Sequence, residues 1–240
     1  MSKLEYVMFD LDGTLLPMDQ EEFVRYYMPR LAKRFVKYGI EMKSLIGIIW
    51  KGVEAMVRND GSRSNEEAFW SCFEELTGIA PSKVEETTMD FYRNEFNDAI
   101  AATQPNPLAN EIIQFLKNKG IKVYLATNPI FPRVATMNRI RWAGLQAEDF
   151  EEITTYENYH YCKPNPKYFS ELMERYGLDP EKGLMVGNDV LEDLTIRSLG
   201  VKTFLLTDTL ENKKKIPLDE VETDYMGSME SLRAWLEENC

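Results

Sequence analysis

The acidic residues Asp10 and Asp12 stand two positions apart, directly after the short apolar run Tyr6–Phe9 and before Gly13. A short apolar run that ends at a glycine is typical of a buried strand followed by a turn. By itself, an aspartate beside a glycine indicates an ordinary turn more often than a site. Chemically, however, one carboxylate of such a pair can attack phosphorus while the other transfers a proton.

Polar side chains that suit phosphate chemistry also follow the later apolar runs. In chain order they are Thr127 and Asn128, then Lys163 before Pro164, then Asn188 and Asp189, with Asp193 one helical turn later. If the runs are parallel strands, their carboxyl ends lie along one edge of the sheet, where ligands bind in open α/β folds. We therefore expect residues that are far apart in sequence to meet there.

Each of these residue types suits a particular role in phosphate chemistry. Clustered carboxylates repel one another unless a hard cation lies among them, and Mg²⁺ prefers oxygen ligands. Lys163 and the hydroxyl of Thr127 can hold the remaining phosphoryl oxygens and stabilise charge in the transition state. Asp193 is placed to orient Lys163 rather than to bind the metal. We interpret the single histidine, His160, as a surface or packing residue.

This ordered set resembles the haloacid dehalogenase (HAD) superfamily, in its subclass with a helical cap, and the phosphoglycolate phosphatase-like members in particular. The first motif, Asp-x-Asp-Gly-Thr, is matched by residues 10–14. The second is matched by Thr127, the third by Lys163, and the fourth by Asp189 with Asp193. The resemblance implies a Rossmann-like core, an aspartate nucleophile and Mg²⁺ as cofactor, with Thr127, Asn128 and Lys163 binding the substrate.

In this family Mg²⁺ is bound by Asp10, by Asp12 through its carbonyl oxygen, and by an acid of the fourth motif. The sequence departs from the usual pattern there, because Asn188 separates Gly187 from Asp189. Either Asp189 is the ligand, or Asn188 occupies that position with Asp189 beside it. We favour Asp189, because a charged oxygen binds Mg²⁺ better than an amide oxygen does.

The order of elements predicts an α/β fold: a parallel, Rossmann-like sheet with helices on both faces and an inserted α-helical cap. The core is expected to comprise residues 1–16 and 105–240, and the cap residues 17–104. Within the cap, Pro29 is expected to kink or break the first helix. Asn65 is expected to cap the third helix of the chain.

The cap is rich in aromatic residues at helical spacing, among them Trp50, Phe69, Trp70 and Phe73. We interpret these mainly as the core of a small bundle, with the alternative that a few face a substrate. Four other residues are candidates for substrate specificity because they lie close to the motifs in sequence: Met18, Asp19, Phe23 and Arg133.

Composition restricts the class of partner. The chain has 240 residues and a formal net charge of −12, which disfavours nucleic acid and anionic membranes as partners. Three widely spaced cysteines suit free thiols in a reducing compartment. With no secretory signal or membrane-length apolar run in view, we expect a soluble, cytoplasmic protein.

The leading hypothesis is a Mg²⁺-dependent phosphatase that hydrolyses the phosphate monoester of a small metabolite through an aspartyl-phosphate intermediate. Asp12 disfavours a dehalogenase, because a halide leaves without a proton. A phosphomutase of the same superfamily and a non-catalytic binding protein remain as alternatives. Whether the chain is a monomer or a homodimer is left open.

Overall fold

Six short strands form one parallel sheet in the structure, a computed structural model that describes residues 4–240. The strands are β1 (Tyr6–Phe9), β2 (Lys122–Leu125), β3 (Glu152–Ile153), β4 (Gly183–Gly187), β5 (Lys202–Leu206) and β6 (Tyr225–Gly227). Their order across the sheet is β3-β2-β1-β4-β5-β6. All four residues of β1 are buried, as expected for a central parallel strand with both faces covered. The predicted fold class is confirmed.

Eight α-helices accompany the strands in the described part of the chain. They are α1 (Gln20–Phe35), α2 (Met42–Val57), α3 (Asn65–Thr77), α4 (Pro81–Arg93), α5 (Pro107–Asn118), α6 (Arg133–Trp142), α7 (Pro166–Tyr176) and α8 (Met229–Asn239). Helices α1–α4 lie between β1 and α5, followed by a 3-10 helix over Glu95–Ala102. This helical region is the cap inserted after the first strand. Within residues 4–240 no helix is both long and apolar enough to cross a bilayer.

The register of the sheet places the first motif between two other strand ends. Phe9 pairs with Leu125 on one side and with Val186 on the other. One residue later, the amide of Asp10 donates to the carbonyl of Val186 at 2.9 Å, and the amide of Ala126 donates to the carbonyl of Phe9 at 2.7 Å. The polar residues after β1, β2 and β4 therefore start at the same level of one sheet edge.

The chain enters and leaves the cap at adjacent points. Met18 and Thr103 form an antiparallel bridge, and the amide of Gln104 donates to the carbonyl of Pro17 at 2.7 Å. These pairs lie at the domain boundaries expected from the sequence, after residue 16 and before residue 105. The exact boundaries remain a prediction.

Of the kink or break expected at Pro29, the break is wrong, because α1 continues through this residue. Pro29 lies on the exposed side of the helix, where water can bond the carbonyl group that loses its partner. The opposite side is held by buried apolar residues such as Phe23 and Leu31. Their burial outweighs the cost of about 3 kcal/mol that proline imposes on a helix interior.

The predicted capping role of Asn65 is also wrong. Ser64 is the N-cap of α3: it accepts from the amide of Glu67, whose carboxylate accepts from the amide of Ser64 in return. Asn65 is the first residue of the helix and is fully buried. Its side-chain amide donates to the carbonyl of Pro129 at 3.2 Å, so it joins the cap to the core.

Candidate active site

A buried lysine joins the first and fourth motifs. Lys163, of which 1% is exposed, lies in the loop between β3 and α7. Its Nζ donates to Asp10 Oδ1 at 2.9 Å and to Asp193 Oδ1 at 2.6 Å. The structure therefore brings together the predicted nucleophile, the predicted phosphate-binding lysine and the acid expected to orient that lysine.

The electrostatics of this triad favour a charged lysine. Burial by itself lowers the pKa of Lys163, but the carboxylates of Asp10 and Asp193 outweigh burial and raise it well above its usual value. Burial raises the pKa of Asp10 and raises that of Asp193 to about 6, while Lys163 opposes both shifts. A positive charge held beside Asp10 is suited to bind a phosphoryl group that approaches the same carboxylate.

Asp12 has a partner that sequence reasoning missed. The guanidinium of Arg139, on α6, donates from Nη1 to Asp12 Oδ2, and only 1% of Arg139 is exposed. The same guanidinium donates to the hydroxyl of Thr136 at 3.2 Å and lies 4.2 Å from the ring centre of Phe131. Burial raises the pKa of Asp12, and Arg139 opposes that rise. Arg139 thus holds the side chain of the predicted acid–base residue in one place.

The second motif is tied to the third and fourth. The carbonyl of Thr127 accepts from the hydroxyls of Thr154 and Tyr168 at 2.6 and 3.0 Å. Asn128 Oδ1 accepts from the amide of Lys163 at 3.2 Å, and Asn128 Nδ2 donates to Glu192 Oε2 at 2.9 Å. Both ends of the Asn128 amide are thus engaged, which favours a positioning role over direct substrate binding.

Glu192 is a second residue that the sequence did not single out. It lines the same cavity as Asp10 and Asn128, and burial raises its pKa to about 7. The signal that was available is its place inside the fourth motif, between Asp189 and Asp193. A glutamate at this position could equally be an exposed surface residue, so the residue type alone does not identify it as part of the site.

Asn188 and Asp189 differ sharply in their surroundings. Asn188 is buried: its Oδ1 accepts from the hydroxyl of Thr14 at 3.1 Å and its Nδ2 donates to the carbonyl of Thr209 at 2.7 Å. Asp189 Oδ1 accepts from the amides of Leu191 and Glu192 at 2.7 and 2.9 Å. Asp189 Oδ2 faces Lys213 at 3.9 Å, which is beyond a hydrogen bond. Asp189 Oδ2 is therefore more available to bind a ligand than Asn188 Oδ1, which already accepts a hydrogen bond.

Two glycines allow these loops to approach one another. Gly13 has a φ of +86°, and a Cβ there would come within 2.3 Å of the Asn188 amide nitrogen. A Cβ at Gly187 would come within 2.2 Å of Asp193 Oδ2. A side chain at Gly13 would push the first and fourth motifs apart, and a side chain at Gly187 would displace Asp193 within the fourth motif.

The site opens into a cavity of about 630 Å³ between core and cap. Its floor is formed by polar residues of the core: Asp10, Asp12, Thr127, Asn128, Asn188, Asp189, Glu192 and Asp193. Its roof is formed by apolar and aromatic residues of α1–α3: Phe23, Tyr27, Leu31, Phe35, Leu45, Ile49, Trp50, Phe69, Trp70 and Phe73. The cap aromatics named from the sequence therefore line the cavity as well as packing against one another.

Of the four other candidates for substrate specificity, one lines the cavity and three do not. Phe23 lines it, but Met18 and Asp19 do not; Asp19 instead caps α1 by accepting from the amide of Glu22 at 2.9 Å. Arg133 is exposed at the start of α6 and does not line the cavity either. His160 pairs with Glu171, its Nδ1 lying 2.7 Å from Glu171 Oε1, in agreement with a packing role.

The donor set of the floor fits a hard divalent cation. Its five acids, Asp10, Asp12, Asp189, Glu192 and Asp193, exceed the two buried cations that contact them, Lys163 and Arg139. Asp12 Oδ1 is buried without a hydrogen-bond partner in the described part of the chain. Within residues 4–240, however, no group of three or more histidine, cysteine or acidic side chains is already gathered as a cation cage. Mg²⁺ commonly binds with few protein carboxylates and keeps several waters.

Comparison with protein families matches residues 4–196 to the haloacid dehalogenase-like hydrolases. The chain belongs to this family. The enzyme class expected from the sequence, a hydrolase of the HAD phosphatase type, is therefore confirmed. The match spans β1 through the fourth motif and includes the cap, so it covers every residue of the floor.

Curated relatives of this HAD chain act on different phosphates. It is 28% identical to a glyceraldehyde 3-phosphate phosphatase from Methanothermobacter thermautotrophicus, over 54% of this chain and 53% of that protein. It is 24% identical to the pyrophosphatase PpaX of Halalkalibacterium halodurans, over 84% and 82%. It is 23% identical to a phosphoglycolate phosphatase from Vibrio vulnificus, over 94% and 92%. These relatives are named for three different substrates, so similarity at this level of identity does not identify the substrate of this chain.

Solved structures share the whole fold of this HAD phosphatase. A HAD phosphatase from Thermococcus onnurineus aligns with a TM-score of 0.61 at 21% identity, over 97% of this chain and 98% of that one. The HAD hydrolase YfnB of Bacillus subtilis, bound to magnesium, aligns with a TM-score of 0.58 at 21% identity, over 98% and 99%. Core and cap are thus both present in these proteins.

Proposed function

We propose that this enzyme is a Mg²⁺-dependent phosphatase in which Asp10 is the nucleophile. A carboxylate oxygen of Asp10 bonds to phosphorus as the ester P–O bond breaks, and the leaving alkoxide takes a proton from Asp12. Asp12 then takes a proton from water as the water oxygen bonds to phosphorus and the acyl-phosphate bond breaks. Inorganic phosphate leaves and both aspartates return to their starting states. The observation that carries the proposal is the Asp10–Lys163–Asp193 triad at one edge of the sheet.

The surrounding residues support these roles. Lys163 is held beside Asp10 by Asp193, so its charge lies where phosphoryl oxygens arrive. The hydroxyl of Thr127 belongs to a buried residue that lines the same cavity and can donate to another phosphoryl oxygen. Arg139 holds the carboxyl group of Asp12, the residue proposed to make the proton transfers.

Mg²⁺ would be held by Asp10, by the main-chain carbonyl of Asp12 and by Asp189. When bound, the cation neutralises charge on the phosphoryl group. Asp189 is the better candidate than Asn188, because both ends of the Asn188 amide are engaged by Thr14 and Thr209. The magnesium bound to the homologous YfnB structure agrees with this choice of cation.

The proposal is tested with purified protein and a generic substrate, p-nitrophenyl phosphate or acetyl phosphate. Hydrolysis is expected with Mg²⁺, to stop on addition of EDTA, and to return with excess Mg²⁺. The Asp10→Asn variant, which keeps the shape of the side chain, is expected to be inactive. If the Mg²⁺-loaded wild type were as inert as Asp10→Asn, the phosphatase assignment would be wrong.

The metal ligand is tested by titrating Mg²⁺ into the apo protein. Asp189→Asn should weaken Mg²⁺ binding at least tenfold, because it removes a charged ligand oxygen. Asn188→Ala should lower the thermal stability while leaving the dissociation constant for Mg²⁺ within about threefold. The opposite pattern would identify Asn188 as the ligand.

A further inference from the structure

The roof of the cavity is unlike a site for a small, highly charged metabolite. Most of the side chains that the three cap helices contribute are aliphatic or aromatic, although Gln20, Glu21 and Arg25 of α1 also line the cavity that contains Asp10. Phe69 and Trp70 are only half-buried there, and Trp50 is 49% exposed. Because apolar surface facing an open cavity gains free energy when a ligand covers it, this region is suited to hold an apolar group.

The size of the cavity also exceeds what a small metabolite needs. Its volume is about 630 Å³, whereas one water molecule takes up about 30 Å³ of the liquid. A phosphoryl group with a two- or three-carbon alcohol would fill only a small part of this volume. Pockets of about 300–1,000 Å³ are typical of sites that enclose much larger organic ligands.

Cations for a second anionic group are scarce. Among the described residues that line the cavity, the only basic ones are Arg25 and Lys213, with side chains that are 73% and 67% exposed. Arg25 lies 3.8 Å from Glu21, and Lys213 lies 3.9 Å from Asp189. Both side chains are mostly exposed and lie beside an acid, so a carboxylate or a second phosphate bound deep in the cavity would lack a buried counter-charge, which is costly.

From these observations we infer that the substrate is the phosphate monoester of an alcohol with a bulky apolar group. The phosphoryl group binds at Asp10, and the apolar part lies against α1–α3 with its far end near Trp50. This inference rests on the proposed phosphatase function and specifies its substrate class. It separates this enzyme from relatives named for phosphoglycolate, pyrophosphate and glyceraldehyde 3-phosphate, whose substrates offer little or no apolar surface.

The inference is tested with a homologous series of ethyl, butyl, hexyl and octyl phosphates, assayed with Mg²⁺. Each buried methylene is worth about fourfold in binding, so kcat/KM should rise on the order of a hundredfold from ethyl to hexyl phosphate. 1-Naphthyl phosphate forms a second arm, which shows whether flat rings fit better than alkyl chains. Phosphoglycolate and pyrophosphate should be the poorest substrates.

The two proposals fail in different ways. If acetyl phosphate is hydrolysed but the alkyl series is flat, or phosphoglycolate is preferred, the apolar substrate class is refuted while the phosphatase function stands. If neither acetyl phosphate nor any member of the series is hydrolysed, the phosphatase function itself fails. A steep rise in kcat/KM along the series supports both.

A variant of the roof gives an independent test. Trp50→Ala removes an exposed side chain, so folding is not at risk. It should reduce kcat/KM for octyl phosphate about tenfold more than kcat/KM for acetyl phosphate. The matched control is Leu76→Ala on α3, which is 41% exposed and does not line the cavity; it should change neither rate. Equal loss on both substrates, or no loss on either, would contradict the proposed position of the apolar group.

Discussion

The floor and the roof of one cavity are built on opposite principles. In the floor, named partners hold most of the polar side chains: Lys163 bonds Asp10 and Asp193, Arg139 bonds Asp12, and two neighbouring loops hold Asn128. In the roof, the contacts are apolar and many side chains share them, as Phe23 does with Tyr27 and Phe96. Directional bonds tolerate little substitution, whereas apolar packing tolerates changes that conserve volume. Chemistry should therefore depend on single floor residues, and substrate choice on the roof as a whole.

The largest effect is expected at Lys163. Lys163→Met leaves Asp10 and Asp193 buried without a cation, which typically costs about 3–5 kcal/mol when one partner of a buried pair is removed. Activity on acetyl phosphate should fall by about 10³-fold or more. Urea unfolding and steady-state kinetics measure the two effects. Lys167→Met, an exposed lysine on the same segment, is the matched control and should change neither.

The double variant Lys163→Met with Asp193→Asn sharpens this prediction. Removing the second charge should recover part of the lost free energy of unfolding, because only Asp10 then lacks a partner. The activity should not return. If Lys163→Met lowered the free energy of unfolding by less than about 1 kcal/mol, the stability of the floor would not depend on charge balance. The contrast with the roof would then be refuted.

A smaller and more selective effect is expected at Arg139, which we regard as a positioning residue. Arg139→Met should reduce kcat/KM for an alkyl phosphate about tenfold more than for acetyl phosphate. The reason is that an alkoxide needs a proton from Asp12, whereas acetate leaves without one, and a general acid contributes about 10²–10⁴-fold where it is needed. Arg141→Met, exposed on the same helix, should not discriminate. Equal losses on both substrates would show that Arg139 acts only through stability.

A substitution at Asn65, where the cap contacts the core, should lower the free energy of unfolding. Asn65 donates from Nδ2 toward the carbonyls of Pro129 and Tyr161 and accepts at Oδ1 from Asn59. Asn65→Ala leaves buried polar groups without partners and should cost about 1–3 kcal/mol of unfolding free energy. Asn94→Ala, an exposed control in the cap, should cost less than about 0.5 kcal/mol. A thermal melt of both variants compares them directly.

The smallest effect is expected within the roof itself. Ile49→Val removes one methylene from a side chain that lines the cavity and should cost about 0.5–1.5 kcal/mol in stability. Turnover of acetyl phosphate should stay within twofold, since no floor residue moves. A large loss of that activity would mean that the roof takes part in the chemistry.

Local patterns carried most of what the sequence predicted. The strand ends with Asp10, Thr127 and Asp189 could be found because each follows a short apolar run, and parallel strands bring such ends together. Arg139 could not be found, because it lies 127 positions after Asp12 in a helix with other arginines. Only the packing of α6 against the first motif selects it.

The cap aromatics show a different limit. Helical spacing predicts that Trp50, Phe69 and Phe73 face the interior of the cap. The spacing is the same, however, whether such side chains pack into a closed core or line a cavity. Whether a space remains between the helices depends on tertiary packing. The edge strand β6 was missed for a simpler reason, because the three residues Tyr225–Gly227 are too few to show a period.

The bridge between Met18 and Thr103 has a consequence for engineering. The polypeptide crosses from core to cap and back through one paired connection, so the segment between these residues is a cassette with one covalent crossing in each direction, which Asn65 also bonds to the core. The Pro17–Gln104 hydrogen bond and the Met18–Thr103 bridge mark the positions at which the cap of one enzyme could be joined to the core of another. Exchanging the cassette for that of another HAD enzyme should transplant substrate preference without disturbing the register of the sheet.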